Sequence, residues 1–271
     1  MCRMLGLISI KPTTASKYLF EDECSLLAQA IKGNQSDGWG IGYYVNGQPQ
    51  VFKSPNSVEK EVDLFKETCS RITSRIIIAH VRKASNPRRL PRHMLIGIEN
   101  TQPFHHKDYI FAHNGTIYIP DEVMASLGEY RKLVKGVNDS EVYFAYLVKE
   151  LESGKDPIEA LRAVEKGLWH MLKLSKREKR APYSSLNAIF SDGHRLYAVT
   201  LYREGEKLKS ICYRDTEYFR MAYKYEGDRL IIASERTNNE EWYLLHNGEL
   251  LIAEPAHDRI VYRIVRLVDI H

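Results

Sequence analysis

No apolar stretch in the 271 residues approaches the ~20 needed to span a bilayer, so no helical membrane anchor is expected. The start has Arg3, a short apolar run to Ile10 and then Lys11-Pro12, without the long apolar region of a signal peptide. Charge of one sign is also in short supply. A net charge of +4 is small for this length and gives no warrant for a nucleic-acid or membrane-surface partner. The basic run over residues 173–180 reads as a solvated helix end and loop. Cysteine is scarce: Cys2, Cys24, Cys69 and Cys212, with no CxxC and no metal-ligand spacing. The chain is therefore expected to hold no metal, to carry no disulfide framework and to fit a reducing, cytoplasmic compartment. Neither a linker-like change of composition nor an internal repeat is present, so a single domain over residues 1–271 is expected.

What is present is ordinary for a globular chain, at 44% apolar and 27% charged residues. A buried strand is expected over residues 5–10, and a helix over 18–32 with Phe20, Cys24, Leu27 and Ile31 on one face. The run Ser36-Asp37-Gly38-Trp39-Gly40-Ile41-Gly42 leads into β-formers, and Asn46-Gly47 closes a hairpin. Val62, Phe65, Cys69 and Ile72 mark a second helix face. An isoleucine-rich strand over 74–79 empties into a long loop reaching Glu99. Helices follow over 121–127, 139–151 and from Asp156-Pro157 to about Leu174, with the strand 109–112 before them. From Ser185 onward strands return, over 186–190, 196–201, 208–213, 229–234, 242–245, 250–253 and 260–267. Two strand-rich blocks thus flank a helical one.

Several residues could carry chemistry. Cys2 becomes the first residue if Met1 is removed, which puts a thiol and a free α-amine on one residue. An α-amine titrates near pH ~8 and can serve as base to the thiol. The alternative is a small buried residue at the start of a strand. His113-Asn114-Gly115 could supply an oxyanion site from the Asn114 amide and the Gly115 N–H, or could be a plain Asn-Gly turn. Asn46-Gly47 and His246-Asn247-Gly248 repeat that dipeptide elsewhere. Arg82 ends a buried strand, where a guanidinium could grip a carboxylate in two-pronged fashion or simply face solvent. Asp139 could hold an ammonium group or cap the helix it opens.

Taken in order, these pieces resemble the class II glutamine amidotransferases, N-terminal-nucleophile hydrolases that release ammonia from glutamine. The resemblance rests on Met1-Cys2-Arg3, on Asp37-Gly38-Trp39-Gly40-Ile41-Gly42 and on Ala79-His80-Val81-Arg82-Lys83-Ala84-Ser85. It continues through Glu99-Asn100-Thr101-Gln102-Pro103-Phe104, Ala112-His113-Asn114-Gly115, Asp139-Ser140-Glu141 and Ala233-Ser234-Glu235. The D-G-W-G-I-G run and Trp242 look like the stand-alone branch, some members of which cleave γ-glutamyl compounds. The resemblance implies an α+β fold, the four-layer αββα sandwich of two antiparallel sheets. It implies that Cys2 attacks the γ-amide and forms a thioester, with Asn114 and Gly115 as the oxyanion hole. Arg82, aided by Ser85, would bind the α-carboxylate, and Asp139 the α-ammonium. No cofactor is implied. The implied ligand is glutamine or a γ-glutamyl small molecule, with a synthase partner subunit as a candidate receiver of ammonia. Related motifs usually have histidine where Gln102 stands. Two other readings share the fold: a γ-glutamyl amide hydrolase acting on a larger compound, and a non-catalytic regulatory subunit.

Overall fold

The computed structural model describes residues 2–175, 178–203 and 208–268. Its strands in chain order begin with β1 (Arg3–Thr13), β2 (Trp39–Val45), β3 (Gln48–Ser54) and β4 (Ser74–Val81). Next come β5 (Phe104–His106), β6 (Tyr109–Asn114), β7 (Asn187–Ser191) and β8 (Leu196–Thr200). The last are β9 (Ala222–Tyr225), β10 (Arg229–Ala233), β11 (Tyr243–Leu244), β12 (Glu249–Ala256) and β13 (Arg259–Arg266). The helices are α1 (Leu26–Lys32), α2 (Val62–Arg71), α3 (Arg92–Leu95), α4 (Pro120–Ser126), α5 (Asp139–Glu152) and α6 (Pro157–Leu174). One sheet has the order β11-β9-β10-β1-β4-β2-β3 and the other β13-β12-β8-β7-β6-β5, with antiparallel pairing throughout.

Strand alternation sorts the apolar residues into three layers. Met4, Ile8, Ile76, Ile78, Ile110, Ala112 and Ile189 meet between the sheets. Their neighbours Leu5, Leu7, Ile77, Ala79 and Val81 face the other way, onto Leu26, Leu27 and Ala30 of α1 and Phe65 and Cys69 of α2. Phe111, Ala188, Phe190 and Val199 face outward from the second sheet onto α5 and α6. The result is the expected αββα sandwich. At roughly 1.5–3 kcal/mol for each fully buried large side chain, the middle layer holds the two sheets face to face and the outer two hold the helices onto them. Among the described residues no helix is long and apolar enough to cross a membrane.

The expected helix over residues 18–32 is broken. A π-helical turn, Lys17–Glu21, stops at Asp22, whose backbone is extended, and α1 starts afresh after Ser25. The Ser25 hydroxyl accepts from the Ala28 N–H and caps the new start, so Cys24 sits in the break. The expected strand over 208–213 is absent as well. The N–H groups of Ile211, Cys212 and Tyr213, which a strand would give to a neighbour, all go to the Glu235 carboxylate at 2.6, 2.8 and 3.1 Å. Of the basic run 173–180, residues 176 and 177 lie outside the described residues, as does Met1.

That rerouted loop overturns the expectation of no disulfide. It carries Cys212 over α1 to Cys24, 188 residues away in sequence, and the two form a disulfide with their Cα atoms 6.0 Å apart. Closing so long a loop removes much unfolded-state entropy, on the order of 2–5 kcal/mol. Cys212→Ser is expected to lower the melting temperature by several degrees and to make it insensitive to a dithiol reductant, where the wild type falls to the same value. Thermal unfolding with and without reductant checks this.

Candidate active site

The site grows out of the ends of β1 and β4. Their register sets Arg3 opposite Val81 and Met4 opposite His80, so the next pair along is Cys2 and Arg82. Cys2 shares the alternation of Met4, and Arg82 that of Ile78 and His80, so both belong to the layer between the sheets. The Cys2 Sγ lies 3.4 Å from both the amide nitrogen and the carbonyl oxygen of Lys83. Burial pushes the thiol pKa up, and the Lys83 amide and Arg82 pull against it. A buried thiol of this kind stays protonated and needs a base.

Arg82 is fixed from behind. Its N–H donates to the Gly38 carbonyl, and Nη1 donates to the carbonyls of Asp37 (3.2 Å) and Leu95 (2.8 Å). Asp37 is buried and ties the neighbouring loop down by accepting from the Ala84 N–H at 2.8 Å and from Arg92 at 2.5 Å. Gly40 in the same run lets β2 pass close to the second sheet, since a Cβ there would lie 2.5 Å from the Gln102 carbonyl oxygen. His80, on the floor beside Arg82, is fully buried. Burial, with Arg82 adding to it, pushes its pKa down to about 3, so it is neutral.

The second sheet supplies His113-Asn114-Gly115 at the end of β6. Asn114 follows the alternation of Ile110 and Ala112 into the layer between the sheets, and among the described residues neither Nδ2 nor Oδ1 has a partner although the residue is 1% exposed. His113 points to the opposite face. Its Nε2 is 2.9 Å from the Ser185 carbonyl and its Nδ1 is 2.9 Å from the Ser140 hydroxyl. Gly115 owes its identity to close approach, since a Cβ would lie 2.1 Å from the Ser185 carbonyl oxygen. Its φ is not positive, so the expected Asn-Gly turn geometry is absent here. The triplet His246-Asn247-Gly248 is different. Gly248 has φ +86°, and the Asn247 amide is fully engaged by the Tyr202 backbone N–H and C=O, both at 2.9 Å. That turn links strands of two sheets and is not a hairpin. Asn46-Gly47 does close the β2–β3 hairpin, with both residues at positive φ.

Gln102 has a definite structural task. Its side-chain carboxamide accepts from the His113 N–H at 2.7 Å and donates to the His113 carbonyl at 3.2 Å. Pairing of β5 with β6 ends at Phe104–Phe111, so one side chain continues the ladder where the strand has left off.

The third component is the start of α5. Asn138, not Asp139, caps this helix, with its side chain accepting from the Ser140 N–H at 2.9 Å. Asp139 is therefore free of the capping task. Its carboxylate accepts from the Ser85 hydroxyl at 2.5 Å and the Ile117 N–H at 2.7 Å. Ser85 thus reaches Asp139, on the same side of the site as Arg82 three residues before it. Asp139 and Arg82 both act electrostatically on the Cys2 thiol, with opposite sign. Asp37, Gln102, His113 and Ser140 are supports that motif reading left without a role. Among the described residues, Cys24, Cys212 and Glu235 bring metal-ligand types within 4.8 Å of one another. The cysteines are bonded to each other and the carboxylate is taken by three amides, so the group is no coordination set.

A buried thiol, an unpaired amide, a guanidinium and a carboxylate are what acyl transfer on a zwitterionic amide would use. Residues 1–262 match the sequence family described as glutamine amidotransferases, class II. An uncharacterized protein of Methanocaldococcus jannaschii is 30% identical, the alignment covering 100% of this chain and 73% of that protein. The γ-glutamyl-hercynylcysteine sulfoxide hydrolase of Mycobacterium tuberculosis is 24% identical over 74% of this chain and 76% of its own length. The solved structure of a glutamine aminotransferase class-II domain protein from Silicibacter pomeroyi superposes with a TM-score of 0.63 at 19% identity, over 97% of this chain and 98% of that one.

Proposed function

Since the chain belongs to the class II glutamine amidotransferases, we propose that it hydrolyses the γ-amide of glutamine through a thioester on Cys2 and releases ammonia. With Cys2 as first residue, its α-amine takes the thiol proton and Sγ attacks the γ-carbonyl carbon. The oxygen becomes an anion held by the Asn114 amide and the Gly115 N–H. The C–N bond then breaks, the relayed proton leaves with ammonia, and water cleaves the thioester to glutamate and thiol. Arg82 binds the α-carboxylate and Asp139 the α-ammonium, with Ser85 holding Asp139 in place. A burial-raised thiol pKa makes the nearby amine necessary as base. Residues 1–271 act as one domain in this reading. The reaction takes place in the cytoplasm, with ammonia passing to a synthase partner where one is present. A cytoplasmic setting requires the Cys24–Cys212 bond to resist reduction in the folded protein.

The observation that carries the proposal is Asn114. An unpaired buried amide costs roughly 1–3 kcal/mol, a cost that a ligand oxygen would relieve. The test is glutamate release from L-glutamine, with intact mass reporting whether Met1 is absent. Hydrolysis is expected only from the fraction lacking Met1, and no release from that fraction contradicts the reading. A second reading, γ-glutamyl amide hydrolysis in a larger compound, is favoured by the likeness to the Mycobacterium tuberculosis hydrolase. A higher kcat/KM for γ-glutamyl anilides than for glutamine would select it.

A further inference from the structure

The two candidate gripping residues, Asp139 and Asn114, are joined through their neighbours. Ser140 follows Asp139 and His113 precedes Asn114, and the Ser140 hydroxyl lies 2.9 Å from His113 Nδ1. The direction of that bond is fixed. The Ser185 carbonyl opposite Nε2 can only accept, so Nε2 carries the ring hydrogen, Nδ1 accepts and the hydroxyl donates. Burial holds the His113 pKa below its ordinary value, so this arrangement persists at neutral pH. A second tie runs alongside, from the Ile117 N–H to the Asp139 carboxylate. His113 is held at its N–H, its carbonyl and both ring nitrogens, whereas the Asn114 side chain beside it has no partner among the described residues. Hydrogen bonding is thus concentrated on the residue that aims the amide.

We infer that the Ser140–His113 bond is a positioning bridge, through which occupancy of Asp139 by the substrate ammonium sets the alignment of the Asn114 amide on the reacting oxygen. The inference rests on the function proposed above. Strand alternation turns His113 away from the layer that holds Cys2 and Asn114, and the Ser140 hydroxyl is spent on the His113 ring. A bridge of this kind makes recognition of the glutamyl head contribute to turnover as well as to affinity. Misalignment of a reacting group by about 1 Å costs as much as 10²-fold in rate.

The test compares Ser140→Ala and Ser140→Thr with the wild type, on L-glutamine and on glutaramate, which lacks the α-amine. Ser140→Ala is expected to lower kcat for glutamine about 10–100-fold with KM changed less than about 3-fold. Its preference for glutamine over glutaramate in kcat/KM should shrink, and Ser140→Thr, which keeps the hydroxyl, should restore kcat. A near-isosteric Ser140→Cys, a weak donor, carries the same test if the alanine variant does not fold. An unchanged kcat, an equal loss on both substrates, or a threonine variant as slow as the alanine one overturns the bridge. Those results arise with an active wild type. A wild type lacking Met1 that hydrolyses no γ-glutamyl amide overturns the underlying function, and the bridge with it.

Discussion

Cys2→Ala is expected to lose glutamine hydrolysis by more than about 10⁴-fold while its melting temperature stays within a few degrees of wild type. The kinetic loss follows from chemistry, since no other thiol in the described structure can replace it. Cys24 and Cys212 are bonded to each other, and Cys69 is buried between the first sheet and α2 with its thiol pKa pushed up by burial. The small stability effect follows from position. The Cys2 side chain packs just before β1 begins, and the register of that strand is fixed by Arg3 through Ile8 on β4 and Leu5 through Ser9 on β10. A glutamine-like diazoketone should accordingly label Cys2 and spare Cys69. Retained turnover in the alanine variant, or labelling at Cys69, contradicts the nucleophile assignment.

Asn114→Ala is expected to lower kcat by about 10²–10³, the ordinary cost of one oxyanion donor, and to leave folding stability unchanged or slightly raised. The sign of the stability term is the informative part. The Asn114 amide has no partner among the described residues, so removing it breaks no hydrogen bond there and takes away a desolvated polar group. Asn247→Ala should do the reverse. Its amide bonds both backbone groups of Tyr202, so its loss is expected to cost about 1–3 kcal/mol of stability at unchanged kcat. Paired measurement of kcat and denaturant midpoint on the two variants separates these outcomes. A kinetic effect at Asn247 equal to that at Asn114 would remove the distinction between the triplets.

What could be read from the chain alone followed from local physics. The isoleucine-rich run ends at Arg82 because β4 is buried on both faces until Val81 and then meets polar loop. Asp156-Pro157 opens α6 because proline suits the first turn and Asp156 and Glu159 form a capping box. The features that eluded sequence reasoning depend on partners far along the chain. Cys212 finds Cys24 only because Glu235 gathers the amides of residues 211–213, and no spacing rule encodes that. Ser25 looks like an interior helix position until Asp22 is seen to turn extended before it. The part Gln102 plays is legible only in the fold, where its carboxamide pairs with the main chain of His113 through one donor and one acceptor. At α5 the choice between Asn138 and Asp139 as cap is decided by Ser85 and Ile117, which claim the aspartate.

The bond between Cys24 and Cys212 encloses most of the chain within one covalent ring. A protease that cuts once inside that ring, for instance beside Leu174, which is 66% exposed at the end of α6, opens the ring without dividing the molecule. The nicked protein would run as one species on a non-reducing gel and as two fragments after reduction. The N-terminal fragment would contain the nucleophile, the guanidinium, the oxyanion donor and the carboxylate, since Cys2, Arg82, Asn114 and Asp139 all precede the cut. The C-terminal fragment would contain Ser185, whose carbonyl receives the His113 ring, together with β7, on which β6 is built, and β8 beyond it. A cut there therefore separates the reacting groups from part of their scaffold in sequence, while the sulfur–sulfur bond keeps the two halves at high local concentration.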